Sequence, residues 1–127
     1  MILKEKEAVY GNALLDKSFH FSIRIIKFYK YEIKNNNIPL PLLNQILRSG
    51  TSIGANISEA QSAFTRKDFI NKLGISLKEA KETEYWLKIM NGAEILPDKE
   101  FESLKADCEE LLKLLTSIIK NSKSKTQ

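Results

Sequence analysis

Few side chains in this sequence have types and spacings suited to acid–base, nucleophilic or metal chemistry. The 127 residues include one histidine, His20, and one cysteine, Cys108. Di-metal sites in helical bundles use Glu-x-x-His motifs, and the residue three positions before His20 is Lys17. Cys108 falls in an apolar repeat, where a small buried hydrophobic residue is expected rather than a reactive thiol. We therefore expect no catalytic residue, no metal site and no cofactor, and we predict that the protein is not an enzyme.

A second polar pattern lies along two predicted helices and is suited to an interhelical network. Its members are Arg48, Ser52, Asn56 and Glu59 on one helix, and Lys72, Glu79, Glu82 and Tyr85 on the next. If these sides face each other, Arg48 can pair with Glu79 or Glu82. Lys72 can then pair with Glu59. The pattern leaves open whether the network fixes helix register or a subunit interface, or forms a ligand or partner surface.

Positive charge is the third feature with chemical consequences. Twenty Lys and Arg against sixteen Asp and Glu give a net charge of +4, and residues 1–40 hold seven basic and four acidic groups. This excess is small for a dedicated nucleic-acid binder. Solvation of the first helix's polar face is the simpler explanation of this excess, and a binding patch is the alternative. The candidates for phosphate contacts are Arg24, Lys27, Lys30, Lys34, Arg66 and Lys67. No base-reading motif accompanies them, so no sequence specificity is predicted.

Apolar residues at three- and four-residue steps predict four helices, at about 12–34, 41–63, 65–91 and 98–121. The first helix has two candidate core stripes. We expect the main stripe to be Leu15, Phe19, Ser22, Ile26, Tyr29 and Ile33, flanked by Leu14, Phe21, Ile25 and Phe28. The segment from Asn35 to Pro41 breaks the helix, and Pro41 suits the first turn of the next one.

Two local patterns predict how the second and third helices are positioned. Gly50, Gly54 and Ser58 are spaced four apart, so they predict a smooth strip where another helix approaches closely. Thr65 is predicted to cap the third helix through the amide of Asp68. Phe64 and Phe69 flank this cap and are expected to form a hydrophobic staple.

Composition limits the class of protein. Hydrophobic residues make up 43% and charged residues 28% of the chain, which is typical of a globular domain. No apolar run approaches the roughly 20 residues of a membrane span, and no secretory signal is expected. The sequence therefore predicts one all-α domain over residues 1–127, folded as an antiparallel up-and-down four-helix bundle. Its expected location is the cytoplasm, without a membrane partner.

The second and third helices carry a recognisable motif. An Arg-x-x-x-Ser-Ile-x-x-Asn-Ile-x-Glu pattern falls on Arg48, Ser52, Ile53, Asn56, Ile57 and Glu59, and Asp68-Phe69, Lys72-Leu73, Glu79 and Glu82 follow it. This part of the sequence resembles the bacterial four-helix-bundle family named for proteins encoded by intervening sequences inside 23S ribosomal RNA genes. The match is specific over about residues 40–92. Ala60 stands where the family frequently has glycine, so any role of that glycine does not carry over.

The resemblance implies an antiparallel four-helix bundle that assembles into a ring, commonly a homopentamer. It also implies kinship with the accessory variability proteins of diversity-generating retroelements, which form pentameric barrels and bind nucleic acid and a reverse transcriptase. Most family members have no assigned activity, and the family name alone does not indicate ribosome binding.

These observations lead to one functional hypothesis and one alternative. The hypothesis is a non-enzymatic oligomeric module that binds RNA or DNA non-specifically through its basic surface. The alternative is a protein-interaction scaffold that binds a protein partner and no nucleic acid. An enzyme would require a pocket that gathers Arg48, Glu59 and Tyr85 around a ligand.

Overall fold

Four α-helices pack in sequence order around one apolar core. The computed structural model describes residues 2–124, with side chains from residue 13 onward. The helices are α1 (Ile2–Asn35), α2 (Leu40–Ala60), α3 (Arg66–Gly92) and α4 (Asp98–Ser124), and the described residues contain no strand. Each helix packs against the next, and α1 also packs against α4. Short connections make the neighbours antiparallel, so the predicted all-α four-helix fold is confirmed.

Helix α1 begins about ten residues earlier than predicted and ends where expected. Its last turn is closed by Asn36, which adopts a left-handed φ of 56° and donates its amide to the Glu32 carbonyl at 2.8 Å. Asparagine tolerates this conformation better than most residues, so the Asn-rich segment ends the helix.

The predicted core stripe of α1 is wrong in part. The flanking stripe is the buried one, formed by Leu14, Phe21, Ile25 and Phe28. By contrast, Phe19 is 61% exposed, and Ile26 and Ile33 are each 45% exposed. The reason is that α1 has apolar residues over a wider arc than its two neighbours, α2 and α4, can cover. Periodicity predicts the helix but does not decide which part of a wide apolar arc faces the core.

The close approach predicted from the glycines occurs between α1 and α2. A Cβ atom added at Gly50 would lie 2.9 Å from Cγ1 of Ile25, and one added at Gly54 would lie 3.2 Å from the backbone oxygen of Ser18. Both contacts are tighter than ordinary packing allows. The glycines therefore let α1 pack directly on the α2 backbone.

The predicted cap of α3 is confirmed, whereas the hydrophobic staple is not. The Thr65 Oγ1 atom accepts a hydrogen bond of 3.1 Å from the amide of Asp68. Phe64 is fully exposed, and only Phe69 packs against the core. Helix α2 ends at Ala60, three residues before the predicted end, because the Ser62 and Ala63 amides bond carbonyls three residues back and not four. This tightened turn directs Phe64 into solvent.

Cys108 lies in the apolar repeat of α4, as predicted, and this repeat is buried. The buried α4 stripe is Phe101, Leu104, Cys108, Leu111, Leu115 and Ile118. The Cys108 thiol lies 3.3 Å from the Ala80 carbonyl, and burial, followed by the nearby carboxylate of Glu84, raises its pKa to about 12. Cys108 is therefore a protonated core residue. Within residues 2–124, no helix combines the length and apolar character needed to cross a membrane.

Candidate functional site

The polar network predicted between the second and third helices forms between α2 and α3. The Arg48 guanidinium donates to Glu79 Oε2 at 3.0 Å and also pairs with Glu82. The indole nitrogen of Trp86 donates to the same Glu82 oxygen at 2.9 Å. Glu82 therefore receives one donor from α2, which links the two helices, and one from its own helix, which orients its carboxylate.

The remaining members of the pattern take different roles. Lys72 Nζ lies 3.1 Å from Glu59 Oε1, which is the second ion pair expected from the sequence. Ser52 and Asn56 instead donate to backbone carbonyls of their own helix, at 2.6 Å and 2.8 Å. Such local bonds satisfy the side chains without linking helices.

Tyr85 forms none of the hydrogen bonds or ion pairs of this network among the described residues, and its ring makes a T-shaped contact with Trp86, with 5.5 Å between ring centroids. The structure does not bring Arg48, Glu59 and Tyr85 around one pocket. The ion pairs of the network lie within one chain and are largely exposed, and such pairs contribute about 0–1 kcal/mol each. Their geometry positions α3 against α2.

The six basic candidates do not form one continuous patch. Arg24 donates to Asp107 Oδ2 and to Ser103 Oγ, both at 2.6 Å, so its charge is already paired with α4. Arg66 and Lys67 begin α3, at the opposite end of the bundle from Lys34, because α1 and α2 are antiparallel.

Besides Lys67, which is exposed and forms no ion pair with a described side chain, the candidates with available charge are the three α1 lysines, Lys27, Lys30 and Lys34. All three are exposed, and none forms an ion pair with any residue that the structure describes. Together they supply three positive charges within about two helical turns.

An exposed apolar stripe accompanies these lysines on α1. We call Phe19, Ile26 and Ile33 the α1 stripe; they are spaced seven residues apart and therefore share one side of the helix. Lys30 lies one turn from both Ile26 and Ile33. Large apolar side chains aligned on a surface are characteristic of an interaction site rather than of scattered exposure.

A groove between α1 and α2 extends the α1 stripe at the Phe19 end. Its volume is about 560 Å³, and its lining includes Leu15, Phe19, Ser22, Gly54, Ala55 and Ser58. Gly54 and Ala55 carry little or no side chain, so the α2 backbone forms much of the floor. The α1 stripe and this groove therefore share Phe19.

One buried charge was not singled out from the sequence. Glu32 is only 3% exposed, and its Oε2 has no hydrogen-bond partner among the described residues. Burial, followed by the nearby Glu100 carboxylate, raises its pKa above the ordinary 4.5. Its position in the sequence could have indicated this burial, since Glu32 follows Phe28 by four residues and so continues the buried stripe.

The motif, the fold and the family model agree. The model of the 23S rRNA-intervening sequence protein family matches residues 12–117. The chain belongs to this family. The match includes the Arg48–Glu82 network and the α1 stripe, so both features lie within the family domain.

A solved structure provides a direct comparison. It is a protein of unknown function from the S23 ribosomal protein family of Bacteroides thetaiotaomicron, solved by crystallography at 1.70 Å. The two chains are 50% identical with a TM-score of 0.83, over 87% of this chain and 98% of the other. No match was found among curated proteins. The family and the fold are therefore established, and the function is a matter for proposal.

Proposed function

We propose that this member of the 23S rRNA-intervening sequence protein family is a non-enzymatic, cytoplasmic protein that self-assembles and binds RNA or DNA without sequence specificity. The observation that carries the proposal is the α1 stripe with the unpaired α1 lysines beside it. The stripe supplies a surface for a second copy of the chain, and the lysines supply phosphate contacts.

Self-assembly follows from the hydrophobic effect. Removing apolar surface from water stabilises a contact by about 25 cal/mol per Å², and Phe19, Ile26 and Ile33 expose such surface in the protomer. In a ring, the α1 stripe of each protomer covers a different surface of its neighbour, because cyclic assemblies above the dimer use heterologous contacts. A pentamer is the state that the family resemblance favours.

Nucleic-acid binding follows from repeating the charge around the ring. Each protomer has a net charge of +4, so five protomers have about +20. Phosphate contacts release counterions, and this gives affinity without sequence preference and a steep dependence on salt. The environment of Cys108 argues against nucleophilic catalysis by this residue, since a thiol with a pKa of about 12 is not a thiolate at neutral pH.

Assembly is tested by a matched pair of isoleucine variants. Ile26 on α1 and Ile75 on α3 are 45% and 43% exposed, so a lysine at either position perturbs the protomer equally. We expect light scattering to give about five times the protomer mass of 14.5 kDa for the wild type and for Ile75→Lys. Ile26→Lys should give the protomer mass. If Ile26→Lys retains the full assembly, the α1 stripe is not the interface.

Nucleic-acid binding is tested by titrating a labelled 30-nucleotide RNA at increasing salt. The Lys30→Gln/Lys34→Gln variant should weaken binding and reduce the slope of log K against log salt by about 1.4. The control is Lys78→Gln/Lys99→Gln, which removes the same charge from exposed positions elsewhere. Equal weakening in both variants, or binding indifferent to salt, would contradict the role of the α1 lysines.

One observation favours the alternative of a scaffold that binds no nucleic acid. Phe64, at the turn between α2 and α3, is fully exposed, and an aromatic residue in that position suits contact with a protein partner. Intact assembly combined with no RNA binding at low salt would select this alternative.

A further inference from the structure

A basic groove on the surface of α3 and α4 is separate from the α1 lysines. Its volume is about 780 Å³, within the range of small-molecule sites. Lys81 and Lys88 contribute from α3, and Lys113 and Lys120 contribute from α4. In each helix the two lysines are seven residues apart, which is about 10 Å along the axis, so they share one side.

The charge in this groove is largely uncompensated. Glu84 is the one acidic residue of the lining, and it lies 3.6 Å from Lys88. Lys81, Lys113 and Lys120 form no ion pair with any side chain from residue 13 to residue 124. Four lysines and one glutamate leave the lining with a net charge of +3, and a multiply charged anion would reduce the repulsion among the lysines.

The groove also has an aromatic wall. Tyr85 lines it and is 57% exposed, with its ring held against the edge of Trp86. Trp86 is itself fixed by its hydrogen bond to Glu82, so the Arg48 network indirectly supports the Tyr85 ring. Leu112 adds apolar surface nearby. An exposed, supported ring beside ammonium groups suits a ligand that has both a planar ring and several negative charges.

We propose that the α3–α4 groove binds a nucleotide unit, with its phosphates on the four lysines and its base against Tyr85. The unit is either a free nucleoside triphosphate or part of a single strand, since both present the same ring and phosphates. An acidic peptide would satisfy the lysines and leave the Tyr85 ring unused. The inference does not depend on self-assembly or on the α1 lysines.

The experiment measures binding of two probes to the full chain in low salt: ATP, and a labelled ten-nucleotide poly-dT strand. Lys113→Gln/Lys120→Gln should weaken both probes by about tenfold or more. Tyr85→Leu should weaken them by about tenfold, whereas Tyr85→Phe should bind like the wild type because it keeps the ring. Circular dichroism establishes that each variant is folded.

The outcomes separate the two sources of the ligand. Micromolar ATP binding that poly-dT does not exceed identifies a free nucleotide, and much tighter poly-dT binding identifies a strand. The proposal is overturned if the groove variants bind both probes like the wild type. It is also overturned if poly-glutamate or inorganic triphosphate competes as well as ATP, or if Tyr85→Leu has no effect.

The α1 variant Lys30→Gln/Lys34→Gln distinguishes this proposal from the preceding one. It should leave ATP binding in the groove unchanged. If only the α1 variant loses RNA binding, and the groove variants bind both probes as tightly as the wild type, the proposed function survives and the groove proposal fails. If only the groove variants lose binding, the reverse holds.

Discussion

Gly50→Ala is the most direct test of how α1 and α2 are packed. The added Cβ would lie 2.9 Å and 3.0 Å from the two γ carbons of Ile25, which is fully buried. Ile25 is β-branched and has one preferred rotamer in a helix, so it cannot turn away easily. Overpacking of this kind costs about 1–3 kcal/mol, while alanine gains about 1 kcal/mol in helix propensity. We expect a net loss of up to about 2 kcal/mol in the free energy of unfolding.

Gly74→Ala is the matched control, because it makes the same change in the interior of α3. A Cβ added at Gly74 would meet nothing within 4 Å. Only the propensity term then remains, so we expect Gly74→Ala to stabilise the protein by about 0.5–1 kcal/mol. The two glycine variants should therefore shift stability in opposite directions.

The assay is urea denaturation followed by circular dichroism, at one protein concentration because association contributes to stability. A double-mutant cycle with Ile25→Ala isolates the contact. In that background the Cβ at position 50 meets no γ carbons, so Gly50→Ala should become neutral or stabilising. If Gly50→Ala stabilises the wild-type chain as much as Gly74→Ala does, the helices do not approach as closely as described.

Three further predictions concern single side chains. Thr65→Ala should lower the unfolding free energy by about 1 kcal/mol in urea denaturation because it removes the α3 cap, while Thr65→Ser should retain most of it. Because the pKa of Glu32 is raised in the folded state, the folded protein binds more protons there than the unfolded chain, so this group lowers stability as pH rises above 4.5. Glu32→Gln should therefore raise the melting temperature at pH 7, with a smaller gain at pH 4.5. A difference in melting temperature between variant and wild type that is the same at both pH values would contradict the raised pKa of Glu32. Cys108 should react with a thiol reagent at pH 8 only in urea, and rapid reaction of the native protein would show that it is not buried.

Much of the polar network between α2 and α3 was predictable before any tertiary structure was known. Arg48 on α2 is opposite in charge to Glu79 and Glu82 on α3, which are one turn apart. The short connection makes α2 and α3 antiparallel neighbours. Opposite charges on adjoining sides of adjacent helices leave few other pairings. The predicted contacts of Arg48 and of Lys72 therefore occur as ion pairs.

The prediction of a hydrophobic staple was wrong because the staple depends on the turn between α2 and α3. Residue spacing alone does not determine the geometry of that turn. Thr65 and Asp68 form the cap within one helical turn, where local geometry suffices. The orientation of Phe64 depends instead on how α2 ends, and the tightened turn after Ala60 exposes it.

The sequence by itself determined the four helices, the cap of α3, the close approach at Gly50 and the family motif. Each depends on neighbours within a few residues or on a periodicity of 3.6 residues. The tertiary structure decided which α1 residues face the core, because two adjacent stripes compete for a contact that α2 and α4 can only partly cover. It also brought the α3 and α4 lysines to one groove, since residues far apart in sequence share a surface only once the helices have packed.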